Sequence, residues 1–156
     1  MKPTISSKPT ISLRERALGF LSRREYSYKE LEQKLRGYAE EHDDVAALLE
    51  DFKKRGWLSE ERYTEQIVHA RKGKFGSLRV AHELREHGVA EELIDKAVAE
   101  VKTDEVANAR AIHRKKYKAP PSNREEWAKQ ARFLQSRGFG FDVIKQVLRD
   151  DPDEDF

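Results

Sequence analysis

The two longest acid-free stretches of this 156-residue chain hold clustered bases, although 29 acids are scattered through it. Gln66 to His82, 17 residues, carries Arg71, Lys72, Lys74 and Arg79. Val106 to Arg124, 19 residues, carries Arg110, Arg114, Lys115, Lys116 and Lys118 ahead of Arg124. Arg23 and Arg24 hold the corresponding place nearer the N-terminus. Clusters of this kind attract anions, either the phosphates of a nucleic acid or an acidic protein face. A helix macrodipole also favours cations in its last turn, but it accounts for one or two bases per helix and not for windows this long. Tyr26, Phe75 and Tyr117 sit beside the clusters. They could stack on the bases of single-stranded DNA, or plug the corner where one helix turns into the next; their equivalent placement favours the plug. Trp57 and Trp127 read as packing between repeats.

Residue types that carry catalysis are present without the spacing that catalysis needs. The five histidines, His42, His69, His82, His87 and His113, show no metal-ligand pattern; His82 and His87 are five apart and do not share a helix face. The absence of cysteine excludes disulfides, thiolate metal sites and cysteine nucleophiles. No glycine-rich phosphate loop follows a strand. Serines and carboxylates read as helix caps and solvated faces, with Glu30–Lys34 and Glu50–Lys54 as supporting i,i+4 pairs. The expectation is a protein that is not an enzyme, with no cofactor and no metal.

The elements that must position the bases are helices. Charged residues make up 38% of the chain, against about 25% in an ordinary domain, and apolar residues 37%. That composition suits an elongated array of thin layers better than one thick core. No run approaches the roughly 18 apolar residues of a membrane span, and the first residues lack a secretory apolar stretch. A cytoplasmic monomer is expected. Lys-Pro-Thr-Ile-Ser occurs at 2–6 and again at 8–12, which marks residues 1–13 as a disordered leader. From Arg14 onward leucine, alanine and long charged side chains follow a helical period. Ser27 and Glu30 form a capping box; Ser59-Glu60-Glu61 opens another helix. Pro120-Pro121-Ser122 breaks the chain and recaps it, and Gly37, Gly56, Gly88 and Gly138 stand as left-handed residues after helical runs.

Internal repetition organises these helices. Leu84, Gly88, Val89, Leu93, Ile94, Ala97 and Val98 recur 50 residues later as Leu134, Gly138, Phe139, Val143, Ile144, Val147 and Leu148. Leu35 matches Leu84 at a shift of 49, and Leu48, Leu49 and Phe52 match Leu93, Ile94 and Ala97 at a shift of 45, a four-residue difference placed at Tyr38–Asp43. Upstream, Leu18 and Leu21 align with Ile67 and Ala70, and Tyr26-Ser27 with Phe75-Gly76. The fold class is therefore all-α, a curved array of three tandem three-helix repeats, helix-turn-helix-like units at 14–58, 59–103 and 104–150. An acidic tail follows at 151–156. The basic clusters all fall at the end of a repeat's first helix, so stacking should align them as one stripe. Residues 1–149 hold all 31 bases and 24 acids, a net of +7, and five acids crowd into Asp150–Phe156, where they could compete for the basic surface.

Three segments resemble the signatures of one family: Gly56-Trp57-Leu58-Ser59-Glu60-Glu61-Arg62-Tyr63, Lys74-Phe75-Gly76-Ser77-Leu78-Arg79-Val80, and Arg137-Gly138-Phe139-Gly140-Phe141-Asp142-Val143-Ile144-Lys145-Gln146-Val147-Leu148. Their order and spacing resemble RecX proteins, bacterial regulators of the RecA recombinase, from about Arg14 to Asp150. Ser59 stands where that family often has Asp and Ser77 where it often has Pro; serine can cap a helix at either place. The resemblance implies binding along the groove of the RecA–DNA filament and lowered recombinase, ATPase and coprotease activity, in DNA repair and the SOS response. From the residues alone, two other classes stay open: direct binding of single- or double-stranded DNA, and an adaptor for another helical partner.

Overall fold

The computed structural model describes residues 11–148. Most of the leader and the whole acidic tail, with Arg149, lie outside the described residues. Among those described are nine helices and no strand: α1 (Leu13–Leu21), α2 (Tyr28–Arg36), α3 (Val45–Lys54), α4 (Glu60–Arg71), α5 (Ser77–Glu86), α6 (Glu91–Lys102), α7 (Glu105–Lys116), α8 (Arg124–Ser136) and α9 (Phe141–Leu148). The chain packs as two compact units divided between Tyr63 and Thr64, inside α4.

In the first unit α1, α2 and α3 close over Leu31, Leu35, Leu49 and Phe52, all removed from solvent, with Tyr26 plugging the corner before α2. Ser27 Oγ accepts the Glu30 N–H at 3.0 Å, and the Ser27 N–H donates to Glu30 Oε1 at 3.1 Å, which is the expected capping box. A second box, Ser12 with Glu15, starts α1. It brings Ser12 and Leu13 into the fold, inside the stretch assigned to the leader. Four expectations change here. Leu18, aligned with Ile67, is 37% exposed, and α1 buries Ala17 instead. Gly37 has φ −69° and is right-handed, because the chain continues into a further turn closed by the Tyr38 N–H to Leu35 O. Glu30 pairs with Arg24 rather than Lys34, whose ammonium lies 4.7 Å from the Phe20 ring centroid. Glu50 pairs with Lys53, not Lys54.

The second unit buries Val80, Leu84, Ile94 and Val101 in α5 and α6, and Ala109, Trp127, Leu134, Phe139, Ile144 and Leu148 in α7–α9. Gly88 and Gly138 sit at φ +76° and +92°. Beyond them the Val89 N–H reaches back to Leu84 O at 3.0 Å and the Phe139 N–H to Leu134 O at 3.2 Å. These are the same left-handed helix ending twice, so the 50-residue repeat is a structural one. Trp57 packs edge-on against Phe52, 5.5 Å between centroids, and Trp127 against Phe141 at 6.1 Å. Both of these contacts lie within a repeat rather than between repeats.

The start of each later repeat is tied to the one before by a carboxylate. Glu60, first residue of α4, accepts the Tyr28 N–H at the start of α2 at 2.7 Å. Glu105, first residue of α7 and buried, accepts the Ser77 N–H at 2.7 Å and the Ser77 hydroxyl at 3.2 Å. Orphan N–H groups and the positive end of a helix favour an anion at these places. Ser77 is thus the first helical residue, held by Glu105, and does not act as a cap; Gly76 occupies the cap position. Ser59 does cap, accepting the Arg62 N–H at 3.2 Å. Asn123, not Ser122, caps α8.

Candidate functional site

The base clusters differ in what they touch. In the first unit the Arg24 guanidinium lies 3.7 Å from the Tyr26 ring centroid, bonds Glu25 O at 2.9 Å and pairs with Glu30. Arg23 is exposed and has no ion-pair partner among the described residues. At the end of α4, Arg71 forms a bidentate pair with Glu83 at 2.9 and 2.8 Å, and Lys72 lies 3.5 Å from Asp104. Arg79 stacks on Phe75, 4.0 Å from its centroid, and Lys74 is exposed. Arg137 approaches the same ring at 5.7 Å. Tyr26 and Phe75 therefore serve their own arginines, and Tyr26 is also buried.

At the end of α7 several cations face solvent with no ion pair among the described residues. Its last turn is fixed from behind. Buried His113 bonds buried Gln130 of α8 through Nε2 and Oε1 at 2.6 Å; the Tyr117 ring lies 5.4 Å from His113 and edge-on to Phe133 at 5.7 Å. The Tyr117 N–H closes the helix on His113 O at 2.8 Å, and prolines 120 and 121 turn the chain away. Arg114, Lys115 and Lys118 are left exposed, with no ion pair among the described residues. Lys116 covers the Phe133 ring at 5.1 Å, and Arg110 donates to Gln146 O at 3.3 Å. Arg110, Arg114 and Lys118 edge a groove of about 390 Å³ floored by Tyr117, Pro120 and Leu148. Arg71 and Arg79 line a different groove, between α5 and the end of α8. The His113–Gln130 pair escaped the sequence reading, since neither residue belongs to a motif and the two meet only when α7 packs on α8.

Two signature segments meet in the second unit. The Gly76 N–H donates to Arg137 O at 2.8 Å and the Leu78 N–H to Gly138 O at 3.1 Å. A Cβ on Gly76 would lie 2.3 Å from Gly138 O, and one on Gly138 would lie 2.4 Å from Arg79 Cβ, so only glycine fits either place. In the first unit Arg62 donates to Gly56 O at 2.7 Å and to Glu25 at 3.1 Å, binding the remaining signature together.

Three-helix repeats and joints that only glycine permits define an all-α tandem-repeat protein. Models of the first, second and third three-helix domains of RecX match residues 14–51, 59–98 and 103–148. The chain belongs to the RecX family. It is 41% identical over 144 residues to the regulatory protein RecX of Leptothrix cholodnii, covering 92% of both chains. It is 42% identical over 142 residues to that of Herbaspirillum seropedicae, covering 91% of this chain and 92% of that one. A crystal structure of RecX from Lactobacillus salivarius has the same fold, with a TM-score of 0.75 and 20% identity over 88% of this chain and 92% of that one. The family's named members are regulatory proteins, and no helix among the described residues is long and apolar enough to cross a membrane.

Proposed function

We propose that the chain binds along the RecA–DNA filament and lowers its recombinase, ATPase and coprotease activity. The observation that carries this reading is the unpaired set Arg114, Lys115 and Lys118, held outward by the buried His113–Gln130 bond in a chain of the RecX family. A cationic helix end with no acid paired to Arg114, Lys115 or Lys118 suits an acidic or phosphate-lined surface. Several repeats in reach of successive protomers would add weak contacts through effective concentration. Restraint then needs no contact with the nucleotide.

Direct DNA binding is the second reading, favoured by the same free ammonium and guanidinium groups. Pull-down against RecA with and without single-stranded DNA and ATP separates the two. The expected result is capture by the assembled filament well above capture by bare DNA, with the weaker salt dependence of a mixed protein interface. Equal affinity for bare DNA, with an affinity that falls steeply as log salt rises, would replace the first reading by the second. A chain that the filament does not capture would remove it.

A further inference from the structure

Six large apolar side chains among the described residues are exposed, and two of them lie together. Leu78, 60% exposed, and Phe141, 62% exposed, flank a groove of about 330 Å³ floored by Trp127, Ala131 and Ile144. Leu78 Cδ1 lies 3.8 Å from where a Gly140 Cβ would stand, so the leucine rests over the glycine that precedes Phe141. The bond from the Leu78 N–H to Gly138 O holds the two segments in this register. Leu78 and Phe141 stand at the edge of the buried stripe of their own helix, about 60° and about 20° beyond its nearest member. The stripe of α5 is Ser77, Val80, Ala81 and Leu84, and that of α9 is Val143, Ile144, Val147 and Leu148. Both remain largely exposed all the same, although Phe141 also meets Trp127 edge-on.

The charge around this groove is lopsided. Arg132 lines it and has no ion pair among the described residues. The Lys145 ammonium lies 5.5 Å from the Phe141 ring centroid, and Arg79 follows Leu78 along α5. The nearby acids of α5 are engaged, Glu83 with Arg71 and Glu86 with His82 at 2.9 Å; Asp142 is the one acid in the first turn of α9.

We propose that the Leu78–Phe141 groove docks a protein partner, taking an apolar side chain that projects from an acidic surface. A buried apolar anchor inside a charged rim is the arrangement in which a few residues carry most of an interface's affinity. Protein is favoured over nucleic acid because leucine has no π-face on which a base could stack. The Phe141 ring is, besides, already met by Lys145 and by the edge-on contact with Trp127. The inference rests on the proposed function in naming the partner, the protein coat of the RecA filament, and it adds an apolar contact to that coat to the one the α7 cations make.

The test uses the full chain and three variants, Leu78→Ser, Phe141→Ser and Phe141→Leu, with binding measured to the RecA filament and separately to bare single-stranded oligonucleotide. Helical content is followed by circular dichroism. Each serine variant is expected to lose about tenfold or more in filament affinity, with oligonucleotide binding and helical content unchanged, and Phe141→Leu is expected to retain filament binding. Parent-like filament binding by both serine variants overturns the groove and leaves the proposed function standing. A parent chain that does not bind the filament overturns both. Oligonucleotide binding lost in Phe141→Ser and also in Phe141→Leu would make Phe141 a base-stacking residue and overturn protein docking. Should a serine variant lose helical content, Leu78→Gln, which keeps the side chain's length, decides by the same filament measurement.

Discussion

At the scale of single residues, the glycines separate two costs that are usually mixed. Gly73 has φ +84° and open space where a Cβ would stand, so Gly73→Ala should cost about 1 kcal/mol from backbone strain alone. Gly138 adds a collision with Arg79, and Gly76 collides with the Gly138 carbonyl while its own φ is an ordinary −86°. Gly76→Ala and Gly138→Ala should each cost about 3 kcal/mol or more, as urea unfolding will measure. The left-handed role of Gly138 was legible in its place after a helical run. Its contact with Gly76 was not, since the partners are 62 residues apart and only the packed fold brings them together. Gly37 misled for a local reason: the turn after it closes through a bond that keeps it right-handed. Asp51 offers a test by pH. Hydrogen bonds from Arg14 and Arg55, both at 3.0 Å, hold its carboxyl below the ordinary value of 3.8. A depressed carboxylate stabilises the fold above its unfolded value, and that contribution disappears as pH falls through the depressed one. Thermal unfolding of parent and Asp51→Asn should therefore differ at neutral pH and converge in acid below 3.8.

At the scale of elements, α7 packs on one side and presents bases on the other. His113 and Ala109 face inward, and Arg114 and Lys115 face out. Changing Arg114, Lys115 and Lys118 together to Glu should abolish capture by the filament while the helix survives. Acids in the last turn oppose the macrodipole, at about 0.3–1 kcal/mol per charge, so the melting temperature should fall modestly with helical content unchanged. Circular dichroism and filament pull-down read the two effects separately. The acid-free window identified this helix end from sequence alone. It could not distinguish Lys72 and Arg71, which have acids waiting on α5 and ahead of α7, from the cations of α7, because those partners lie beyond the window.

At the scale of the whole molecule, the same carboxylate joint occurs once in each unit. Tyr28 and Glu60 are 32 residues apart, Ser77 and Glu105 are 28, and both pairs bond at 2.7 Å. The four extra residues correspond to the insertion read at Tyr38–Asp43, and they lie in the loop between α2 and α3, where they leave the joint undisturbed. A Gly-Ser pair inserted between Glu41 and His42, both exposed, should cost no more than about 0.6 kcal/mol. The same pair inserted between Lys102 and Thr103 displaces Glu105 from the buried start of α5 and should cost about 1–3 kcal/mol for the N–H left without its partner. Denaturant unfolding of the two insertions makes the comparison. The repeat period was legible because it is written in apolar side chains and glycines. The joints were not, because a glutamate at a helix start is equally well explained by the dipole.

The arginines stacked on their own aromatic neighbours have a consequence for the entropy of association. Arg24 on Tyr26 and Arg79 on Phe75 are already confined, at 3.7 and 4.0 Å from the ring centroids, before any partner arrives. Immobilising a long side chain at an interface costs about 0.5–1.5 kcal/mol, and for these two part of that loss has occurred during folding. Lys115 and Lys118 are exposed and make no ion pair among the described residues, so more of their loss falls on contact. A partner would thus meet one set of cations that is rigid and selective in direction, and another that is compliant and tolerant of it.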